Sequence, residues 1–316
     1  MADKFLTLLD MTKRDVGPDG AATGLIEEVN TVAPELESLS GQPVNGTTYK
    51  IKKRIALPAS PVFRNANEGS DIVSSVYEQG IGQCFFLDAQ LRTDEMVVSS
   101  GQAEGNSPAD ILADESIGVV RQKLIHVGDS FYRGTTADAK GFVGLQNLYD
   151  TANCEVSATG SSGAATSAWL VWNDPQGLHW KFGRNAGLQM GEWVRQQVTD
   201  ANGKAYHAWT NNLSGWLGLA FGHTRSIVRV KLVTTASGKS FTDALAAEAI
   251  AKLPIFMRRS TGLKWFMNSV CELGLRKSRS TVSGAKTDSL ILQFAPPATE
   301  TNGVPIILTD SIPNNE

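Results

Sequence analysis

Between residues 49 and 57 apolar and basic positions alternate: Tyr49, Ile51, Ile55 and Leu57 share one face, interrupted by Lys53, and Lys50, Lys52 and Arg54 share the other. This period of two predicts the first arm of a β-hairpin spanning 46–69. Pro58 and Pro61, around Ala59-Ser60, turn the chain, and Val62, Phe63 and Arg64 open the return arm. A lone two-stranded hairpin is marginal in water. This one has no obvious way to bury its apolar side within its own subunit, so the pattern points to completion on a neighbouring copy.

The rest of the chain divides into recognisable elements. The first thirty residues combine a short amphipathic piece at 4–11, a turn-rich stretch at 15–20 and a helix candidate at 21–30, as an arm lying across other elements would, with fraying as the equal alternative. Beyond Gly69, SDIVSSVYEQ and GQCFFLDAQLR read as a half-buried strand pair. The clearest helix follows. Ser107 can cap it, Pro108 suits its first position, Asp110 places charge in its first turn, and Gly134 stops it. Ile117, Val120, Leu124, Val127 and Phe131 recur at spacings of three and four and predict its core face. At about 1.5 Å per residue, 108–132 runs about 37 Å, the length of a beam.

From Gly141 the composition turns to Gly, Trp, Asn and Ser, with a flexible loop at 159–166. WLVWNDPQGLHWKF reads as a hairpin turned at 173–177, and Asn202-Gly203 and Asn302-Gly303 read as turns between strands. Further strands are expected at 205–209, 216–221, 226–233, 264–267, 289–294 and 304–309, with helices at 241–253 and 270–277. The sum is α+β in two lobes, without the βαβ alternation of a nucleotide-binding sheet.

Composition narrows function more than fold. With 316 residues, 41% of them hydrophobic, the chain can bury one large core or two medium ones. A net charge of −3, from 29 basic and 32 acidic residues, argues against a surface built wholly for nucleic acid and leaves room for a local patch. MADKFLTLLDMTKRD lacks the apolar core and cleavage site of a signal peptide, and no apolar run approaches a membrane span, so cytosolic synthesis without a membrane partner is expected.

Candidate chemistry is sparse. Cys84, Cys154 and Cys271 show no paired spacing and read as buried free thiols, and His126, His179, His207 and His223 show no ligand spacing. Gly80-Ile81-Gly82 lacks the third glycine of a dinucleotide fingerprint, and 199–203 lacks the distal glutamate of a calcium loop. No nucleophile elbow and no tuned carboxylate pair is present, so no catalytic, cofactor or metal site is expected. For Lys50, Lys52, Lys53 and Arg54, intersubunit ion pairing is preferred over nucleic acid phosphates, because Glu68 and Asp71 lie just beyond them. Arg258, Arg259, Arg276, Lys277 and Arg279 read as a solvated helix face.

In order, the pieces are an arm, a two-stranded loop, a strand platform, a beam helix and a Gly- and Trp-rich α+β lobe. That order resembles the major capsid proteins of tailed bacteriophages with the HK97 fold, and most of all the epsilon15-like podovirus coat proteins. The resemblance is carried by Leu9-Asp10-Met11-Thr12-Lys13-Arg14 with Pro18-Asp19-Gly20, by Leu57-Pro58, Phe63-Arg64, Asn67 and Gly69, and by Trp169-Leu170-Val171 with Gly187-Leu188-Gln189. Val198-Thr199-Asp200-Ala201-Asn202-Gly203, Tyr206, Gly218-Leu219-Ala220, Arg229 and Gly303-Val304-Pro305-Ile306 continue it over essentially the whole chain. Phe63 departs from it where the family pattern has tryptophan.

The resemblance implies an N-terminal arm at 1–42, an E-loop at 43–70, a peripheral domain with its spine helix at 71–140, and a mainly axial domain at 141–316 with some strands returning to the peripheral domain. Tyr49, Lys50, Ile51, Lys52, Lys53, Arg54, Ile55, Leu57, Phe63, Arg64 and Glu68 become the expected intersubunit residues of the E-loop. The protein would then self-assemble into hexamers and pentamers of an icosahedral shell enclosing double-stranded DNA, touched non-specifically. A portal, and scaffolding and cement from separate proteins, would be its other partners, with assembly in the host cytoplasm and residence in the virion capsid. A β-rich virion-surface or secreted binding module and an enzyme with a dispersed site are the competing readings.

Overall fold

The computed structural model describes residues 31, 33–60, 63–69, 71–103, 105, 107–183, 189–279, 281–283, 291–293 and 295–316. The helix expected at 21–30 and the first thirty residues of the expected arm lie outside the described residues, as do Pro61, Val62, Gly187 and Leu188.

A short helix α1 (Glu35–Ser38) and strand β1 (Gly41–Val44) lead into a ribbon of β2 (Thr48–Ala56) and β3 (Val76–Gln83). Strand β4 (Phe85–Asp94) then runs into α2 (Glu95–Ala103) and the long helix α3 (Pro108–Arg133). The caps of α3 are those expected: Ala109 N–H donates to Ser107 Oγ at 3.3 Å, Pro108 opens the helix, and Gly134 ends it with its N–H on Ser130 O. Gly134 is required twice over, by its φ of +56° and by its close approach to the backbone of Gly144.

After α4 (Leu145–Leu148) come β5 (Glu155–Ser157), β6 (Thr166–Trp172), β7 (Leu178–Gly183), β8 (Gln189–Met190), β9 (Val194–Thr199), β10 (Ala205–Phe221) and β11 (Ile227–Val233). The chain closes with α5 (Asp243–Lys252), α6 (Ile255–Arg258), β12 (Leu263–Met267), α7 (Ser269–Arg279), the pair β13 (Thr281–Ser283) and β14 (Ile291–Gln293), and β15 (Glu300–Thr301) with β16 (Val304–Leu308). Thr242 caps α5 through its hydroxyl, so the helix begins two residues later than the expected 241. Only the β14 part of the strand expected at 289–294 lies among the described residues.

Two larger sheets share one core. The first runs β1-β7-β10-β4 with β8 and β9 on the free part of β10, and the second runs β15-β16-β12-β6-β11-β5. Every residue of β6 is buried, which is what a central strand between β11 and β12 and beneath α7 requires. Phe131, near the end of α3, joins both sheets: its ring lies 5.5 Å from that of Trp180 on β7 and 5.8 Å from that of Phe266 on β12.

Three sequence expectations are corrected here. Strands β6 and β7 do not form a hairpin: the turn at 173–177 is made, with Gln176 N–H on Asp174 Oδ1, but it carries the chain from one sheet to the other. Both edges of β6 are already occupied, one by β11 and the other by β12. The stretch 205–221 is one strand of 17 residues, because Asn211, Asn212 and Ser214 hold ladder positions opposite Leu91, Gln90 and Asp88. Segments 70–79 and 82–92 are not partners, since β3 pairs with β2 and β4 pairs with β10. The last pairing, along with β1 on β7, also carries strands across the expected boundary at 140/141.

Candidate intersubunit surface

The ribbon is longer than the sequence predicts. Thr48 pairs with Gln83, and the ladder continues to Arg54 opposite Tyr77 before a bulge places Ala56 opposite Val76. The return arm is therefore 76–83, and Phe63 and Arg64 belong to the connecting loop. That loop has its own order: Arg64 Nη1 donates to Glu68 O at 2.7 Å, Asn65 N–H donates to Glu68 Oε2 at 2.8 Å, and Asn67 adopts a left-handed φ of +64°. Glu68 thus serves a turn within the subunit, and its prolines deprive the loop of ladder donors.

The root of the ribbon packs on its own subunit. Cys84 N–H donates to Thr47 O at 2.7 Å and the Tyr49 hydroxyl donates to Leu219 O at 2.9 Å. The Tyr49 ring lies across Gly82, where a Cβ would collide with it, and burial pushes its hydroxyl up to about 12. Ile51 is half-buried beside it, and the Lys53 ammonium stands 5.3 Å over the ring of Phe221. So two of the four apolar residues expected to face a neighbour, Tyr49 and Ile51, are largely satisfied at home. Beyond the bulge the situation reverses. Ile55 and Leu57 are exposed, and Phe63 and Ile72 are 107% and 101% exposed.

The other face is basic as expected, with Lys50, Lys52 and Arg54 outward. Lys52 and Arg54 gather on Tyr77, 4.6 and 5.4 Å from its ring centre, and Arg54 Nη2 donates to the Tyr77 hydroxyl at 3.3 Å. Arg54 thereby lowers the titration of that hydroxyl from its ordinary value. Ile72, Val76 and Tyr77 were absent from the expected surface. The pattern of VYEQGIGQ was the signal that could have placed Val76 and Tyr77 on the ribbon; no sequence signal marked Ile72.

Helix α3 also departs from its expected face. Val127 and Phe131 are buried and Val120 and Leu124 half-buried, but Ile117 is 60% exposed. The described chain packs on the helix at its two ends, through Ile111, Leu112 and Ser116 and again from Val127 to Tyr132, and leaves the Ile117 region open. There an apolar groove of about 560 Å³ lies between Leu112 and Ile117 on one side and Met190, Trp193 and Trp209 on the other. Asp110 and Asp114 stand on the same half of the helix.

The later basic cluster is solvated only in part: Arg259 and Lys277 are exposed, whereas Arg258, Arg276 and Arg279 bond to their own subunit. Arg279 makes a bidentate pair with Asp243 at 2.6 and 2.7 Å, which holds that carboxyl below its usual range, and Arg258 donates to the carbonyls of Ala251 and Leu253 at the end of α5. The three cysteines are buried and free, and burial raises each thiol. Among the described residues no group of His, Cys, Asp and Glu could hold a metal ion.

A ribbon with an exposed apolar far end, a beam helix and two sheets over one core make up the described chain. The profile of the family described as major capsid protein GP7 matches residues 17–316. The chain belongs to that family. Its fold is that of the bacteriophage epsilon15 structure, with a TM-score of 0.72 at 18% identity over 98% of this chain and 96% of that one. The bacteriophage JBD30 capsid protein follows at a TM-score of 0.51 and 8% identity, over 90% of this chain and 93% of that one. No curated protein matches the sequence. As a GP7-family capsid protein of HK97-like α+β fold, the chain is a phage shell subunit of the virion, and the binding-module alternative is not favoured. No helix among the described residues is long and apolar enough to cross a membrane.

Proposed function

We propose that this capsid protein forms the hexamers and pentamers of an icosahedral shell enclosing double-stranded DNA, with the ribbon 48–83 acting as an E-loop laid over a neighbouring subunit. The observation that carries this reading is the far end of the ribbon, where Leu57, Phe63 and Ile72 are exposed and none of the described residues covers them. Covering such a surface contributes ~25 cal/mol per Å² of apolar area, repeated at every contact of a closed shell. The groove at Leu112, Ile117, Met190, Trp193 and Trp209 is a fitting acceptor, and Asp110 and Asp114 beside it oppose the charge of Lys50, Lys52 and Arg54.

In this reading 1–42 is the arm, the E-loop extends to 83 rather than 70, and 84–140 with its spine helix is peripheral. The axial domain takes most of 141–316 and returns β7 and β10 to the peripheral sheet. The subunit does no catalysis. It touches DNA non-specifically, meets a portal and separate scaffolding and cement proteins, and assembles in the host cytoplasm. Deleting 57–75 and closing β2 to β3 with a short turn tests the ribbon. A folded subunit that forms no shells, capsomer rings or tubes by electron microscopy is expected, and normal shells from this variant would overturn the intersubunit role. An intact chain that stays monomeric at high concentration with its scaffolding protein present would overturn the shell reading itself.

A further inference from the structure

Glu35 opens α1 where the chain meets the second half of α3, and its carboxyl is wholly buried. Oε1 accepts from the Tyr132 hydroxyl at 3.0 Å and from Thr309 Oγ1, whereas Oε2 and the nearby Ser311 hydroxyl make no well-formed hydrogen bond to any described residue. Gly128 of α3 leaves the room they occupy: a Cβ there would lie 2.8 Å from Oε2 and closer still to Ser311 Oγ. The backbone around the carboxyl is tied down as well, with Trp180 Nε1 donating to Glu35 O at 3.0 Å and Lys264 Nζ donating to Ser38 O. A helix of four residues cannot hold itself. These contacts with α3, β7, β12 and the tail after β16 hold it, and it leads through β1 directly into the ribbon.

We propose that Glu35 is a proton-dependent latch: its neutral carboxyl donates from Oε2 to Ser311 Oγ and holds 33–44 against α3 and the tail, and loss of that proton to solvent loosens the segment. One hydrogen bond then satisfies both orphaned atoms, and no buried anion is left without a cation. Burial pushes the Glu35 carboxyl above its usual range, more than the Thr309, Tyr132 and Ser311 hydroxyls lower it.

Among the described residues, the groups around it do not supply the missing cation. Tyr132 faces it from α3 and stays a neutral donor, its own hydroxyl pushed far up by burial and by Glu35. Asp129 and Arg133 on the same helix pair with each other at 2.5 Å. Lys264 is engaged at Ser38, Asp310 on the tail is exposed and of like charge, and His179 and Lys181 lie on the face of β7 opposite Trp180. A carboxyl raised on folding contributes stability that is complete below the ordinary carboxylate range and is lost as pH rises through the raised value.

Hydrogen exchange of the full-length chain, corrected for intrinsic rates and followed from acid to mildly alkaline pH, tests this. Protection of 33–44 should fall with rising pH, about tenfold for each unit by which the carboxyl is raised. Glu35→Gln, whose amide keeps one acceptor and donates to Ser311, should stay protected at every pH. A flat wild-type profile, or a Glu35→Gln profile with the wild-type slope, overturns the latch. If Glu35→Gln does not fold, Ser311→Ala decides: weaker protection at acid pH and a shallower dependence are expected, and an unchanged profile overturns it.

Discussion

Arg229 carries the most consequential buried charge of the second sheet. Its Nη2 pairs with Glu316 Oε2 at 2.7 Å, its Nε donates to Ser167 Oγ at 2.9 Å, and its guanidinium lies 5.1 Å over the ring of Trp169. Burial pulls its titration down, but the neighbouring Glu316 carboxylate more than offsets this and raises it. Arg229→Ala would leave that carboxylate buried without a cation, a cost of about 3–5 kcal/mol. The check is a lower denaturant midpoint at unchanged m value; a loss below about 1 kcal/mol would show that water replaces the guanidinium. Arg229 stood in the sequence as part of the family resemblance, yet its role was hidden, because its partner is 87 residues away. Glu35 was equally silent. A glutamate after a proline reads as a helix-opening residue, and only the packing of α3 and the tail around it turns it into a buried acid.

At the scale of elements, the spine helix separates what is local from what is not. Its cap, its proline start and its glycine stop depend on residues within a turn of each end and were legible in full. Its core face was only half legible: the period identified Val127 and Phe131, but Ile117 belongs to the same stripe and is exposed. Periodicity says which residues share a face, not how far along the helix that face is covered. The two ends of the stripe should therefore behave differently on substitution. Phe131→Ala should cost the isolated subunit about 3–5 kcal/mol, since its ring touches those of Tyr132, Trp180 and Phe266. Ile117→Asp should change subunit stability by only about 0.5 kcal/mol and yet suppress shell formation. Denaturation curves and sedimentation of the same two variants measure both effects, and full assembly by Ile117→Asp would remove the groove from the contact.

At the scale of the whole molecule, the proposed function makes the ribbon and the groove two halves of one contact between subunits. Reversing Lys50, Lys52 and Arg54 to glutamate should abolish assembly, and adding Asp110→Lys with Asp114→Lys should restore part of it. Light scattering follows both. Assembly of the unaltered protein should also slow as salt rises, because charges at such a rim are screened over about 10 Å at 0.1 M. Failure of the paired reversal with folding intact would direct the basic face elsewhere, packaged DNA included.

By itself the sequence determined the alternating faces of β2, both ends of α3, the turns at Asn202-Gly203 and Asn302-Gly303, and, through the order of its elements, the capsid family. Each local feature is a contest among residues a few positions apart, and its outcome is written in their chemistry. Only the tertiary structure decided that β2 takes 76–83 as its partner, that β6 and β7 part into different sheets, that 205–221 runs as one strand, and that Tyr49 is held at home while Phe63 and Ile72 are not. Strand edges of similar apolarity compete for one another across the whole chain. Which pairing wins depends on the arrangement that buries all of them together, and no local pattern records that total.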